Sequence, residues 1–315
     1  MRNMILRRIG IGIATLWIVS ILIFVGTQIL PGDVAEIMLG QSATPETLAQ
    51  LRLELGLDKP AVARYLGWLG DMATGDLGIS KSGGATIESL IHERIGNTFF
   101  LSAIVALISV PISVVLGLLA AMFPGTWIDR TLSLTTLSLI SVPEFFVATG
   151  MVMIFAVQLN WLPAIAHMNA DEPLGRVMWS MAMPVITLSI VISSQMIRMT
   201  RASILNVMNS PYIEMAILKG VPKRRIILRH ALFNAISPIV NVIALNLAYL
   251  VGGVVIIETI FAYPGLAKLM VDGVQVRDLP LVQACAMIFC TTYIILILVA
   301  DVISILSNPR LRSPK

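Results

Sequence analysis

Residues 210–238 read SPYIEMAILKGVPKRRIILRHALFNAISP and lie between two hydrophobic runs. Ser210 suits the N-cap of a helix, and Pro211 suits the first helical position because its missing N–H has no helical partner there. Gly220 then predicts that the helix ends at about Lys219. The stretch therefore predicts a short helix over residues 211–219, a break, and a second helix.

A helix of about two and a half turns is marginal unless something supports it. Its apolar residues Ile213, Ala216 and Ile217 are spaced so that they share one face. Five basic residues accompany it in the same loop: Lys219, Lys223, Arg224, Arg225 and Arg229. We therefore expect another protein to support the short helix. The alternative is a basic loop that only fixes membrane topology.

The composition excludes an ordinary soluble protein. Hydrophobic residues make up 57% of the chain and charged residues 13%, and the mean hydropathy is +0.88. These values are typical of a polytopic membrane protein. The net charge of +4 reflects orientation in a lipid bilayer rather than nucleic-acid binding. Cys285 and Cys290 fall in one apolar run on different helix faces, which indicates neither a disulfide framework nor a zinc site.

A membrane span needs an apolar run that is long enough to cross about 30 Å of hydrocarbon. Six apolar runs meet this requirement: 9–30, 99–122, 132–159, 182–199, 236–261 and 281–306. The sequence thus predicts an all-α polytopic membrane protein with six transmembrane helices. Its predicted segments are an N-terminus with the first span (1–30), an extracytoplasmic helical cap (31–98), a transmembrane core of five helices that includes the loop 204–234 (99–306), and a tail (307–315).

The basic residues predict the orientation of the chain. With a cytoplasmic N-terminus, most of the 22 Lys and Arg residues lie on the inner side and the short outer loops hold few. This distribution obeys the positive-inside rule. We therefore expect a multi-pass protein with both termini and the helix over residues 211–219 in the cytoplasm.

The loop between the fourth and fifth predicted spans resembles the cytoplasmic "EAA…G" loop of ABC-transporter permeases. Met215 stands where the motif has a second alanine, and methionine is tolerant in packing. The spacing is similar to that of the dipeptide, oligopeptide and nickel subgroup, and within it to the B-type permease. The matching residues are Glu214, Ala216, Gly220, Arg229, His230, Ala231, Asn234, Ala235 and Pro238.

Further elements of this family recur in the same order along the chain. In the cap, a helical pattern at 44–58 ends in the first four residues of an L-G-L-D-x-P element, and a second helical pattern covers 61–73. A G-D-L-G-x-S element follows at 75–80. An E-x-x-F-x-x-P-G-L element begins at Glu258, and R-D-x-P begins at Arg277. The tail resembles the family's D-P-R-x-R ending, with Asn308 in place of Asp. For the cap elements, structural turns are the alternative interpretation.

The resemblance implies that the helix over residues 211–219, hereafter the coupling helix, docks on an ATPase subunit. Tyr212 and Ile213 suit a partner's groove as aromatic and aliphatic anchors. Glu214 lies near the helix start, where the dipole favours an anion. The predicted coupling residues are Pro211, Tyr212, Ile213, Glu214, Ala216, Lys219, Gly220, Arg224 and His230.

Polar residues inside the spans are candidates for the transport pathway, because a charge stranded in hydrocarbon costs several kcal/mol. Glu144 follows Pro143 and either lines the pathway or pairs with a neighbour. Glu258 either forms a gate or reaches water or a backbone amide. The neutral candidates, which either line the pathway or form interhelical hydrogen bonds, are Gln195, Asn241 and Asn246.

Three more charged residues lie near predicted inner ends of spans. Arg198 and Arg201 share a helix face and either reach lipid phosphates or contact the ATPase. Asp301 is expected to pair with a basic residue of the tail, either Arg310 or Arg312.

The sequence contains no G-x-x-x-x-G-K-[ST] phosphate loop, so nucleotide must bind on another chain. His92 and Glu93 begin a pattern like H-E-x-x-H, but Gly96 occupies the place of the second ligand. No G-x-S-x-G nucleophile elbow occurs. We therefore expect a non-catalytic chain with no catalytic, cofactor-binding or metal-binding residue of its own.

The resemblance implies a permease subunit of an ATP-driven importer in the bacterial inner membrane. Its partners would be a second homologous permease, two ATPase subunits that bind ATP and Mg, and an extracytoplasmic solute-binding protein. Short peptides are the expected substrate, with a nickel chelate or small oligosaccharides as alternatives. From another class, an ion-driven secondary transporter or a structural membrane scaffold remains open.

Overall fold

The computed structural model describes residues 2–29, 43–54, 56, 58–168 and 171–307. These residues are mostly helical and contain no extended strand, only an isolated bridge between Ile79 and Thr86. The predicted all-α class is confirmed. The chain forms two compact units: unit A is Met1–Arg8, Phe99–Tyr263 and Tyr293–Lys315, and unit B is Ile9–Thr98 and Pro264–Thr292.

The helices are numbered in chain order. They are α1 (Arg2–Ile29), α2 (Pro45–Glu54), α3 (Ala61–Thr74), α4 (Ile87–Met122), α5 (Trp127–Ser141), α6 (Glu144–Met151), α7 (Leu174–Ser180), α8 (Ala182–Met208), α9 (Pro211–Leu218), α10 (Leu232–Ile260), α11 (Leu266–Gln275) and α12 (Leu279–Ser307). A π-helical segment, Val152–Gln158, extends α6. A second π-helical segment leads from the short helix Lys223–Arg225 into α10: Ile226–Ala231.

Within the described residues, α1, α4, α8 and α12 are each long and apolar enough to cross a membrane. Two bent pairs of helices raise the number of candidate spans to six if each pair counts as one. One pair lies within α10 and is bent by 42°. A polytopic membrane fold is therefore confirmed, with four to six candidate spans.

The third predicted span, 132–159, is a bent pair of helices. The chain bends by 96° between Trp127–Ser141 and Glu144–Gln158. Val142 has an extended backbone (φ −93°, ψ 126°), as expected for a residue before proline, and Pro143 starts the next helix. Each part has about 15 residues, or about 22 Å of helix, which is shorter than the hydrocarbon layer.

In unit A, α4 and α8 approach each other closely at Gly117. A Cβ atom at this position would lie 2.7 Å from Thr200 Cβ and 2.9 Å from the carbonyl oxygen of Ile197. Small residues allow this kind of helix contact in membrane proteins. In the same unit, Arg8 Nη1 donates to Asp301 Oδ2 at 2.7 Å. The predicted partners of Asp301, which are Arg310 and Arg312, lie outside the described residues.

In unit B, two of the recognised sequence elements meet at Asp278. Its Oδ2 accepts hydrogen bonds from Ser80 Oγ at 2.5 Å and from Ser82 Oγ at 3.1 Å. Hydrogen bonding therefore links the G-D-L-G-x-S and R-D-x-P elements, although they are almost 200 residues apart. Two helices lie at the helical patterns predicted within residues 31–98, α2 and α3, while residues 31–42, 55 and 57 of that segment lie outside the described residues.

Candidate functional site

The coupling helix is α9, which begins at Pro211 and ends at Leu218, one residue earlier than expected. The carbonyl of Ser210 accepts the N–H groups of Ile213 and Glu214 at 3.0 and 3.2 Å. The Ser210 side chain does not cap the helix, because its Oγ donates back to the Val207 carbonyl at 2.5 Å. The next loop turns at Gly220, whose φ of +73° favours glycine.

The support of α9 comes from its own chain. Ile213 is 0% exposed and belongs to a hydrophobic cluster in unit A with Ala121, Ile204, Ile226, Ile227, Ala231, Ala235 and Ile239. Burial of an isoleucine side chain contributes about 1.5–3 kcal/mol. The chain therefore supplies support of its own for α9, which the sequence did not indicate. Ile213 itself cannot enter a partner's groove in this packing, since none of it is accessible.

The remaining large apolar side chains of α9 form an exposed surface. It is formed by Tyr212, Met215, Ile217 and Leu218, and Leu218 is 74% exposed. Ile217, which the helical spacing put on the same face as Ile213, is 55% exposed, while Ala216 is half-buried. The polar or terminal members of the predicted coupling set are also exposed: Pro211, Glu214, Lys219, Gly220 and Arg224. The side chain of His230 lies outside the described residues.

A second group of predicted residues meets at the break between α5 and α6. Glu144, Gln195 and Asn246 line one cavity of about 220 Å³ in unit A. Tyr249 also lines it, and its Oη donates to Glu144 Oε2 at 3.2 Å. Asn246 Nδ2 donates to the Val242 carbonyl within α10 at 2.8 Å. Sequence reasoning missed Tyr249, although it lies three residues after Asn246 and so on the same helix face.

Asn241 and Glu258 do not line this cavity. Asn241 is half-buried on α10. Glu258 is fully buried, and its carbonyl accepts the N–H of Tyr263 at 2.8 Å. Burial raises the pKa of the Tyr263 hydroxyl well above its usual range, and the nearby Glu258 carboxylate raises it further. The Tyr263 phenol therefore stays neutral at physiological pH.

Arg201 is engaged inside unit A. Its Nε and Nη2 donate to the two carboxylate oxygens of Asp129 at 2.6 and 2.8 Å, and the Gly125 N–H donates to Asp129 Oδ2 at 2.8 Å. A bidentate pair of this kind is strong and geometrically specific. Asp129 therefore engages two of the three guanidinium nitrogens of Arg201, a pairing that the sequence did not indicate. Arg198 is exposed.

The chain matches known proteins over its full length. A probable peptide ABC transporter permease protein of Sinorhizobium fredii is 34% identical over 308 residues, which cover 98% of each chain. A putative peptide transport system permease protein of Brucella abortus is 34% identical over 315 residues, or 99% of each chain. The glutathione transport system permease protein GsiC of Escherichia coli is 33% identical over 313 residues, or 99% of each chain.

The fold is also found in a solved structure. It is the methionine ABC transporter MetNI in an inward-facing conformation, with a TM-score of 0.55 and 17% identity over 70% of this chain and 97% of that chain. The family model for the N-terminal part of binding-protein-dependent transport system membrane components matches residues 1–89. The model described as "Binding-protein-dependent transport system inner membrane component" matches residues 113–313. This chain therefore belongs to that family and is an ABC transporter permease of the peptide type.

Proposed function

We propose that this permease forms half of the translocation pathway of an ATP-driven importer for short peptides and is coupled to ATPase subunits through α9. The observation that carries the proposal is the contrast within α9: one residue, Ile213, is fully buried in the chain, while its other large apolar side chains are exposed. An exposed apolar surface of this kind is typical of a protein interaction site. The ATP and Mg would bind to the partner chains.

The packing supports a mechanical link from α9 to the cavity. The cluster around Ile213 contains Ile204 of α8 and Ile239 of α10. The same two helices carry cavity residues, Gln195 on α8 and Asn246 on α10. A displacement of α9 by the ATPases would therefore move both helices and reshape the cavity.

The cavity chemistry supports a peptide substrate. The Glu144 carboxylate is complementary to a peptide's ammonium group, and the cavity's amide and hydroxyl groups match peptide hydrogen-bonding groups. At about 220 Å³ the cavity holds one end of a peptide, so we infer that the second permease completes the pathway. The relatives named for peptide and for glutathione, itself a tripeptide, support this class over a nickel chelate or small oligosaccharides.

The proposed assembly is the one expected from the sequence. A second homologous permease, two ATPases and an extracytoplasmic solute-binding protein join this chain in the bacterial inner membrane, with both termini cytoplasmic. The ion-driven transporter and the membrane scaffold have no support from the family.

The coupling role of α9 is tested by Leu218→Lys, which places a charge on the exposed apolar surface. The matched control is Leu66→Lys on α3, where the leucine is 61% exposed. Leu218→Lys should abolish co-purification of the ATPases and peptide uptake while the permease remains in the membrane, and Leu66→Lys should retain both. Full assembly and uptake with Leu218→Lys would overturn the proposal.

A further inference from the structure

A cavity of about 460 Å³ lies within unit B and is lined by two arginines. Arg64 is on α3, and Arg277 lies just before α12. Each has a buried guanidinium nitrogen, Nε of Arg64 and Nη1 of Arg277, without a hydrogen-bond partner among the described residues. Arg64 Nη2 donates to Gln28 Oε1 at 2.8 Å, which orients this guanidinium. Buried charged donors are unfavourable without an acceptor, so these two nitrogens favour the binding of an anionic group.

The backbone at Arg277 is held in place before any ligand binds. Its φ of +57° lies in the left-handed region, which residues other than glycine seldom adopt. The next residue, Asp278, is fixed by its hydrogen bonds to Ser80 and Ser82. Strained backbone that the surroundings hold in this way clusters at ligand-binding sites.

The charge of the lining favours an anion. The cavity is lined by four cationic side chains and two acidic ones: Lys59, Arg64, Lys81, Arg277, Asp71 and Asp76. One acidic group is already engaged, because Asp76 Oδ1 accepts the Gly78 N–H at 2.9 Å. In the described part of the chain no carboxylate pairs with either arginine. The planar fork of a guanidinium matches the two oxygens of a carboxylate.

Aromatic rings add an apolar side to the cavity. Phe24 and Trp68 both line it, and their ring centroids are 6.0 Å apart. Tyr65 packs against both rings, at 5.4 Å from Phe24 and 6.1 Å from Trp68. This cluster suits an apolar side chain next to the anionic group. The volume is in the range of small-molecule sites and fits a ligand of about dipeptide size.

We propose that this cavity is a second peptide site, which binds the free carboxylate of a short peptide with an apolar side chain. Arg64 and Arg277 hold the carboxylate, and Phe24 and Trp68 pack against the side chain. Recognition of an oxyanion follows from the cavity alone, whereas the choice of a peptide carboxylate rests on the proposed function.

Equilibrium binding to the purified full chain in lipid nanodiscs tests this site without ATP or partner subunits. Titration with the dipeptide Ala-Leu and with its C-terminal amide should give at least tenfold tighter binding of the free acid. Arg64→Gln and Arg277→Gln should each weaken binding of the acid at least tenfold and leave binding of the amide unchanged. The control Arg52→Gln, on α2 and outside the cavity lining, should bind both peptides as the parent chain does.

Equal affinity of the parent chain for acid and amide would overturn the proposal without reference to any variant. Displacement of Ala-Leu by inorganic phosphate at a concentration comparable to the peptide's Kd would also overturn it, by identifying a general oxyanion site. Uptake is measured separately in the assembled transporter. A chain that binds the acid selectively but supports no peptide uptake would contradict the proposed function and leave this carboxylate site standing.

Discussion

Replacement of Ile213 by alanine should release α9 from unit A. The substitution removes three carbon atoms from a side chain that is 0% exposed. At about 0.8 kcal/mol for each buried methylene, the loss is about 2.4 kcal/mol before any cavity term, and substitutions of this type cost about 2–5 kcal/mol. Since 1.4 kcal/mol corresponds to a factor of ten, the population with α9 detached should rise by about fifty-fold.

Hydrogen exchange of the α9 amides measures this change directly, because exchange follows the population of the locally open state when opening and closing are fast. The expected result is about fifty-fold faster exchange in α9 and little change in the middle of α8. Ile217→Ala is the matched control, since Ile217 is on the same helix but more than half exposed. Unchanged exchange in Ile213→Ala, or an equal effect of both substitutions, would refute the reasoning.

Three further predictions follow from unit A. Arg201→Lys keeps the charge but loses one of two hydrogen bonds to Asp129, so the free energy of unfolding should fall by about 1.5 kcal/mol. Thermal unfolding in detergent measures this loss of stability, and an unchanged Tm would contradict the prediction. Gly117→Val should sharply reduce the yield of folded protein in size-exclusion chromatography. Gly150→Val is the control and should be tolerated, because a Cβ at Gly150 meets nothing within 4 Å. Equal yields of the two variants would argue against the close helix contact at Gly117. Glu144→Gln should slow uptake of a peptide with a free amino group more than uptake of its N-acetylated form. Uptake is measured in proteoliposomes that contain the whole transporter. An equal effect on both peptides would exclude a contact between Glu144 and the ammonium group.

Both ends of α9 were predictable to within one residue because they depend on local chemistry, through Pro211 at the start and Gly220 after the end. Its buried face was only partly predictable. Helical spacing put Ile213 and Ile217 on one face, but the exposure of each depends on which neighbouring helices reach that part of α9, and of the two only Ile213 is buried.

Long-range pairs carried no sequence signal. Asp129 and Arg201 are 72 residues apart, and nothing in the spacing of either residue indicates the other. Pro143 marks the place of the bend in the sequence, but its size was not predictable, because a proline permits either a mild kink or a complete break. Composition and length were sufficient for the fold class, because they depend on no particular contact.

The hydrogen bond from Ser80 to Asp278 joins residues 198 positions apart, with most of unit A encoded between them. During synthesis, this contact therefore forms only after the ribosome has completed the segment that precedes α12. Unit B closes late in biogenesis, and a chain truncated before residue 278 leaves its N-terminal helices without their partner and exposed to quality-control proteases.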